Sequence, residues 1–165
     1  MRIGFSGPLQ KMTNEQVLQV HMLLGDLKTA GATQVTYSLV TGSAEQFHDM
    51  AKALGYFTIG IPVVAESGPD WHRTDRVCDL VTPPKAYTVI DMEIVRESDV
   101  VIAAPVEGPL DPRKRLGSWA AIRSARYAHK PLCIIWTDGS GPVEHVPDVY
   151  TLDGYRQSIA RVSHA

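Results

Sequence analysis

The chain has 165 residues, 44% hydrophobic and 21% charged, which is the size and make-up of one domain able to bury a core without disulfides or metal. A net charge of -2 gives no basis for general binding to nucleic acid or acidic membrane, both of which need basic surface. Cys78 and Cys133 match no zinc or thioredoxin spacing, and no apolar run reaches membrane-spanning length. The opening Met1-Arg2-Ile3-Gly4-Phe5 is too short for a signal peptide, so a cytoplasmic location is expected.

Arg2 to Ser6 predicts a first strand, ended by Gly7-Pro8. Thr13 and Gln16 form a capping box, and Val17, Val20, Leu24 and Leu27 follow at helical spacing until Gly31 stops the helix. Gln34 to Val40 predicts a second strand. Ser43 and Gln46 suggest another capping box, followed by a helix with Ala44, Phe47, Ala51 and Leu54 on one face and Gly55 at its end. Tyr56 to Val64 predicts a third strand, and the polar stretch from Ala65 to Pro84 a long loop.

Ala86 to Glu97 predicts a helix, with Tyr87, Ile90 and Ile94 on one side. The continuous apolar run Val100 to Pro105 suits a central parallel strand. A second loop from Val106 to Leu116 carries Asp111, Arg113, Lys114 and Arg115; Gly117 to His129 is helical and Leu132 to Thr137 a fifth strand. From Asp138 the chain is read as an irregular C-terminal extension. The alternation predicts a single α/β domain, Rossmann-like, with a mostly parallel open sheet of about five strands and helices on both faces.

In such sheets ligands bind outside the carboxyl ends of the strands. Three strand ends carry small or polar residues: Ser6-Gly7-Pro8, Thr41-Gly42-Ser43, and the Pro105 loop leading to Gly117-Ser118. Helix N-termini beside them suit phosphate; each of Thr41, Ser43 and Ser118 taken singly reads better as a helix cap, and it is the three together at one sheet edge that point toward a site. Gly117 permits close backbone approach, Ser118 offers a hydroxyl and Trp119 an aromatic face for a base or ribose. Arg113, Lys114 and Arg115 are either an anion site or a solvated basic loop. Asp91 and Glu93 are either partners of ribose hydroxyls or solvated helix charges. The six histidines show no metal spacing, and none of the P-loop, GxGxxG, GxSxG or HExxH patterns is present.

Ser98 to Pro105, Arg115-Leu116-Gly117-Ser118-Trp119 through Arg126, and Lys130 to Gly139 together resemble the SLOG superfamily, the Rossmann-like group that includes LONELY GUY-type phosphoribohydrolases. Met1 to Thr13 and Phe47-His48 through Leu54-Gly55 are similar to the same group, in particular to its small bacterial and phage members. The resemblance implies a nucleotide-type ligand over the Gly117 and Gly42 turns, with Ser6, Gly7, Thr41, Gly42, Ser43, Pro105, Arg115, Gly117, Ser118, Trp119 and Arg123 as ligand-binding residues. It also implies a homo-oligomer.

Three departures accompany it. The turn before the second helix, Gly42-Ser43-Ala44, lacks the acid that family members often carry, and the third helix has Ile90-Asp91 in place of an Arg-Asn pair. The position of the family's catalytic glutamate is Ala121, which can neither move a proton nor stabilise a ribosyl cation. The expectation is therefore a binder of a nucleotide or nucleotide-derived signalling molecule, such as a phage-type sponge that sequesters an immune messenger intact. No resident cofactor and no metal are expected. Two alternatives stay open: an N-glycosidase using Asp91, Glu93 or Asp138, and a carrier or interaction module presenting the small-residue face Ala121 to Ala128.

Overall fold

The computed structural model describes residues 1–64, 73–106 and 118–144. Along them run β1 (Arg2–Ser6), α1 (Asn14–Thr29), β2 (Gln34–Ser38), α2 (Ser43–Ala53), β3 (Phe57–Ile61), β4 (Leu80–Val81), α3 (Tyr87–Arg96), β5 (Val100–Ala103), α4 (Trp119–Tyr127), β6 (Leu132–Ile134) and β7 (Val143–Glu144). The strands form one sheet in the order β4-β3-β2-β1-β5-β6-β7, parallel throughout except for the antiparallel β6–β7 pair.

The α/β architecture and its five longer strands match the sequence expectation. The sheet gains two more, both two-residue edge strands. β4 lies within the stretch expected to be loop, paired with Ile59 and Gly60 of β3. β7 lies in the expected irregular extension, where the Asp138-Gly139-Ser140 turn reverses the chain onto β6. Neither is long enough to show an alternating pattern.

Period-two alternation assigns the two faces. Ile3, Phe5, Val35, Tyr37 and Ile102 meet Leu24 and Leu27 of α1 and Phe47 and Ala51 of α2. Phe5 stacks on Phe47 with ring centroids 4.3 Å apart. On the other face, Val101, Ala103, Leu132 and Ile134 meet Val95 of α3 and Ala121, Ile122 and Ala125 of α4. Ala121 and Ala125, expected in one reading to face a partner, are fully buried against the sheet. Gly4 permits the close approach of α3: a Cβ there would lie 2.3 Å from Ser98 Oγ and 2.8 Å from Ile94 Cγ2.

The two expected capping boxes have different outcomes. At α1, Gln16 N–H donates to Thr13 Oγ1 at 3.1 Å, and Thr13 N–H returns a bond to Gln16 Oε1 at 3.0 Å. At α2 the cap is Gly42, at φ +88°, and it is Glu45 that reaches back to Gly42 N–H at 3.3 Å. Ser43 does not cap, because its hydroxyl donates to Pro8 C=O at 2.6 Å. Gln46 is drawn away as well, accepting Met12 N–H at 2.7 Å. Tertiary bonds to the β1–α1 loop outcompete the local motif.

Candidate functional site at the carboxyl edge

The strand order reverses between β1 and β5: one half of the sheet grows outward from β1 through β2, and the other from β5 through β6. Such a switch point opens a crevice at the carboxyl edge, because the connections on its two sides leave in opposite directions. The ends of β1 and β5 meet there, with Ala104 N–H donating to Ser6 C=O at 3.0 Å.

A cleft of about 30 Å³ lies beside this junction, lined by Ser6, Gly7, Ser38, Val40, Tyr87 and Asp91, among others. Ser6 Oγ donates to Asp91 Oδ1 at 2.8 Å. Burial pushes the Asp91 carboxyl up to about 6, against the smaller opposing effects of the Ser6 hydrogen bond and the positive charge of Arg123. Asp91 is thus a part-buried carboxyl beside a switch point, hydrogen-bonded to Ser6, rather than a fully solvated helix charge. Glu93, by contrast, pairs with Arg96 at 2.6 Å. Asp138 holds its own turn through Ser140.

Gln16 fixes the rest of the edge. Its Nε2 donates to Pro105 C=O and to Ile135 C=O, both at 2.9 Å, while its Oε1 serves the α1 cap. One buried amide therefore ties the ends of β5 and β6 to the start of α1. Thr13 adds a bond from Oγ1 to Thr137 C=O at 2.7 Å. The sequence shows Gln16 only as a capping residue; its second role depends on where the strands end in space.

Past β5 and β6, Trp119 opens α4 and faces Trp136 with centroids 5.9 Å apart. Trp119 and Arg123 are one turn apart on the same helical side; Arg123 is exposed and lines the groove between α3 and α4, and its charge acts on Asp91. Ser118 is buried and gives α4 no side-chain cap. Trp136 carries no motif in the sequence and is recognised only through its contact with Trp119.

The expected site residues thus separate into groups. Ser6 and Gly7 line the cleft, Pro105 lies at the end of β5, and Trp119 and Arg123 stand on α4. Gly42 and Ser43 lie against the chain's own loop: a Cβ on Gly42 would be 2.0 Å from Leu9 C=O, and Ser43 bonds to Pro8; Thr41 just before them is part-exposed. Arg115 and Gly117 lie outside the described residues.

Two other polar features sit elsewhere. His48 is buried and its Nδ1 pairs with the Tyr37 hydroxyl, which also lies 3.2 Å from Cys78 Sγ. A larger groove of about 660 Å³ runs between α3 and α4 past Val89, Met92 and Tyr127. It is roomier than the small cleft and is lined in part by Arg123, yet it lies away from the strand ends. The small cleft gathers the part-buried Asp91 carboxyl, its hydroxyl partner and the glycine turn. Among the described residues no cluster of side chains suits a metal ion, and no helix is long and apolar enough to cross a membrane.

No family model matches the chain, and no curated protein matches it significantly. Among solved structures it is similar to the molybdenum cofactor binding protein of the phototrophic bacterium Rippkaea orientalis, at 23% identity and a TM-score of 0.61, over 82% of this chain and 76% of that one. It is also similar to the structural-genomics target TM1055, at 18% identity and a TM-score of 0.52, over 79% of this chain and 71% of that one. At these identities the likeness is one of fold: a Rossmann-like sheet with helices on both sides.

Proposed function

We propose that this chain binds a nucleotide-derived small molecule across its carboxyl edge, between the β1 switch point and the start of α4, and releases it unchanged. The observation that carries the reading is the Ser6–Asp91 cleft where the strand order reverses; the Trp119–Trp136 pair lies farther along the same edge, past the ends of β5 and β6, and the charge of Arg123 on α4 acts on Asp91. An indole face suits a base or another flat heterocycle, a guanidinium suits phosphate, and a carboxylate suits a hydroxyl or amine. The molybdenum cofactor binding protein that shares this fold is in keeping with a small-molecule role. So is the resemblance of Arg115 to Arg126 to the SLOG group. With alanine at position 121, a holding role such as sequestration of a signalling nucleotide fits better than glycoside cleavage by the family's usual route.

Calorimetric titration with nucleotides, dinucleotide cofactors and cyclic nucleotides, followed by mass analysis of the recovered ligand, tests this. Tight binding with intact ligand is the expected result. Trp119→Ala is expected to weaken binding by about tenfold to a hundredfold, the usual worth of one aromatic stacking contact. Unchanged affinity in both Trp119→Ala and Arg123→Ala would remove the α4 end from the site. A second reading is favoured by one observation: Asp91 holds its proton up to a pH of about 6, as a general acid for N-glycoside cleavage would. Recovery of free base and sugar phosphate, abolished by Asp91→Asn, would establish that reading instead.

A further inference from the structure

The Ser6–Asp91 pair narrows the ligand chemistry further. This inference rests on the carboxyl-edge reading above. Ser6 commits its hydroxyl proton to Asp91 Oδ1, so its oxygen is left with lone pairs. Asp91 Oδ2 has no hydrogen-bond partner among the described residues, and an ionised carboxylate only accepts. The Ser6–Asp91 pair therefore offers acceptors and a negative charge, while the Ser38 and Tyr87 hydroxyls on the walls can donate or accept. Leu9, Val40 and Ile90 contribute carbon to its walls. A volume of about 30 Å³ admits a group of only about one or two water-sized volumes.

A phosphate or carboxylate oxygen at the Ser6–Asp91 pair would face the negative charge of the Asp91 carboxylate. An ammonium group would meet the carboxylate but also the field of Arg123, the cation that acts on Asp91 from α4. A neutral hydroxyl meets neither objection: it donates to Asp91 Oδ2 and is small enough to enter.

We propose that the Ser6–Asp91 cleft is a hydroxyl-selecting subsite, which takes one hydroxyl of a ribose-type sugar and leaves the ligand's phosphate outside, toward Arg123. The ionised form of Asp91 is the better acceptor, so binding strengthens as pH rises through the Asp91 titration. Tyr87 and Arg123 are the other ionisable groups facing Asp91. Burial and the Asp91 charge push the Tyr87 phenol upward, so it stays protonated over that range.

The test is amide NMR titration of the full chain at pH 5 and pH 7.5. The probes are ribose 5-phosphate, 2-deoxyribose 5-phosphate, adenosine 5′-monophosphate with its 2′- and 3′-deoxy forms, and inorganic phosphate. The expected result is perturbation of the Ser6 and Gly7 amides by the hydroxyl-bearing probes, with at least one deoxy form weakened about tenfold or more, the worth of a hydrogen bond to a charged group. Binding should be stronger at pH 7.5 in the native protein and pH-independent in Asp91→Asn. Equal affinity for every deoxy form, or the same perturbation of Ser6 and Gly7 by inorganic phosphate alone, overturns the subsite. Perturbation confined to Trp119 and its neighbours overturns it too, while leaving the carboxyl-edge reading in place. Silence with every probe overturns the subsite, and the carboxyl-edge reading is then decided by the calorimetric panel of dinucleotides and cyclic nucleotides.

Discussion

Gln16→Met is expected to destabilise the protein by about 3–5 kcal/mol, read as a drop in the midpoint of denaturant unfolding with little change in slope. Methionine keeps the length of the side chain and its carbon volume, so the loss is chiefly one of hydrogen bonding. Three bonds go: those to the Pro105 and Ile135 carbonyls and the one from Thr13 N–H. Gln16 itself is buried, so water cannot readily replace it. A buried polar group deprived of its partner costs about 1–3 kcal/mol, and here the groups lie on three different segments. Gln16→Glu makes a useful control. It restores an acceptor for Thr13 but sets a carboxylate against two carbonyl oxygens, and it too is expected to destabilise. A loss below about 1 kcal/mol in Gln16→Met would mean that the carbonyls find other donors, and that the edge is less dependent on this amide than its geometry implies.

Asp91→Asn is expected to act in the opposite direction and stabilise the protein near neutral pH. The Asp91 carboxyl titrates at about 6 in the fold, against 3.8 for an ordinary aspartate. Its neutral form is therefore favoured by folding. That contribution is fully present below the ordinary value and is lost as pH rises through about 6, leaving the fold to carry a buried charge. A displacement of about two units corresponds to about 2–3 kcal/mol. Asparagine keeps an acceptor for Ser6 and carries no charge. The gain should be about 2 kcal/mol at pH 8, shrink between pH 6 and pH 4, and vanish below that. Parallel thermal unfolding of both proteins across this range measures it. A gain that does not vary with pH would show that burial of the charge is not its source. Residues whose removal stabilises a fold are often kept for binding or chemistry, so a stabilised variant with weakened ligand binding would tie both properties to one carboxyl.

The parts of this fold that are readable in the sequence are those set by neighbours along the chain. The α1 cap needs only Thr13 and Gln16, three residues apart, and both bonds form as the motif predicts. The long strands and the helix faces follow from periodicity. The α2 cap departs from its motif because Ser43 and Gln46 commit their side chains to Pro8 and Met12, more than thirty residues away. β4 and β7 are two residues each and exist through pairing alone.

The candidate site divides in the same manner. Ser6, Gly7, Trp119 and Arg123 stand out in the sequence as small, polar or aromatic residues at strand and helix ends. Asp91 is ambiguous there between ligand contact and solvated charge. Its burial depends on α3 coming close to β1, which Gly4 permits by lacking a Cβ and no local pattern announces. Trp136 likewise acquires meaning only beside Trp119.

The two cysteines sit under very different cover, and this gives the molecule two built-in reporters. Cys133 is fully buried in the central sheet, and burial pushes its thiol up to about 12. Cys78 is only part-buried, on a stretch held against α2 by Arg76–Asp49, Arg76–Glu45 and Lys52–Asp79 ion pairs and against β3 by hydrogen bonds from Thr58 to Asp79. Partly exposed pairs of this kind weaken as salt screens them, whereas an apolar core does not. A thiol reagent should therefore reach Cys78 through a local, salt-sensitive detachment of residues 73–79 and reach Cys133 only when the sheet itself comes apart. The ratio of the two labelling rates would separate the opening of one surface strap from unfolding of the whole domain, with the protein's own cysteines and no engineered substitution.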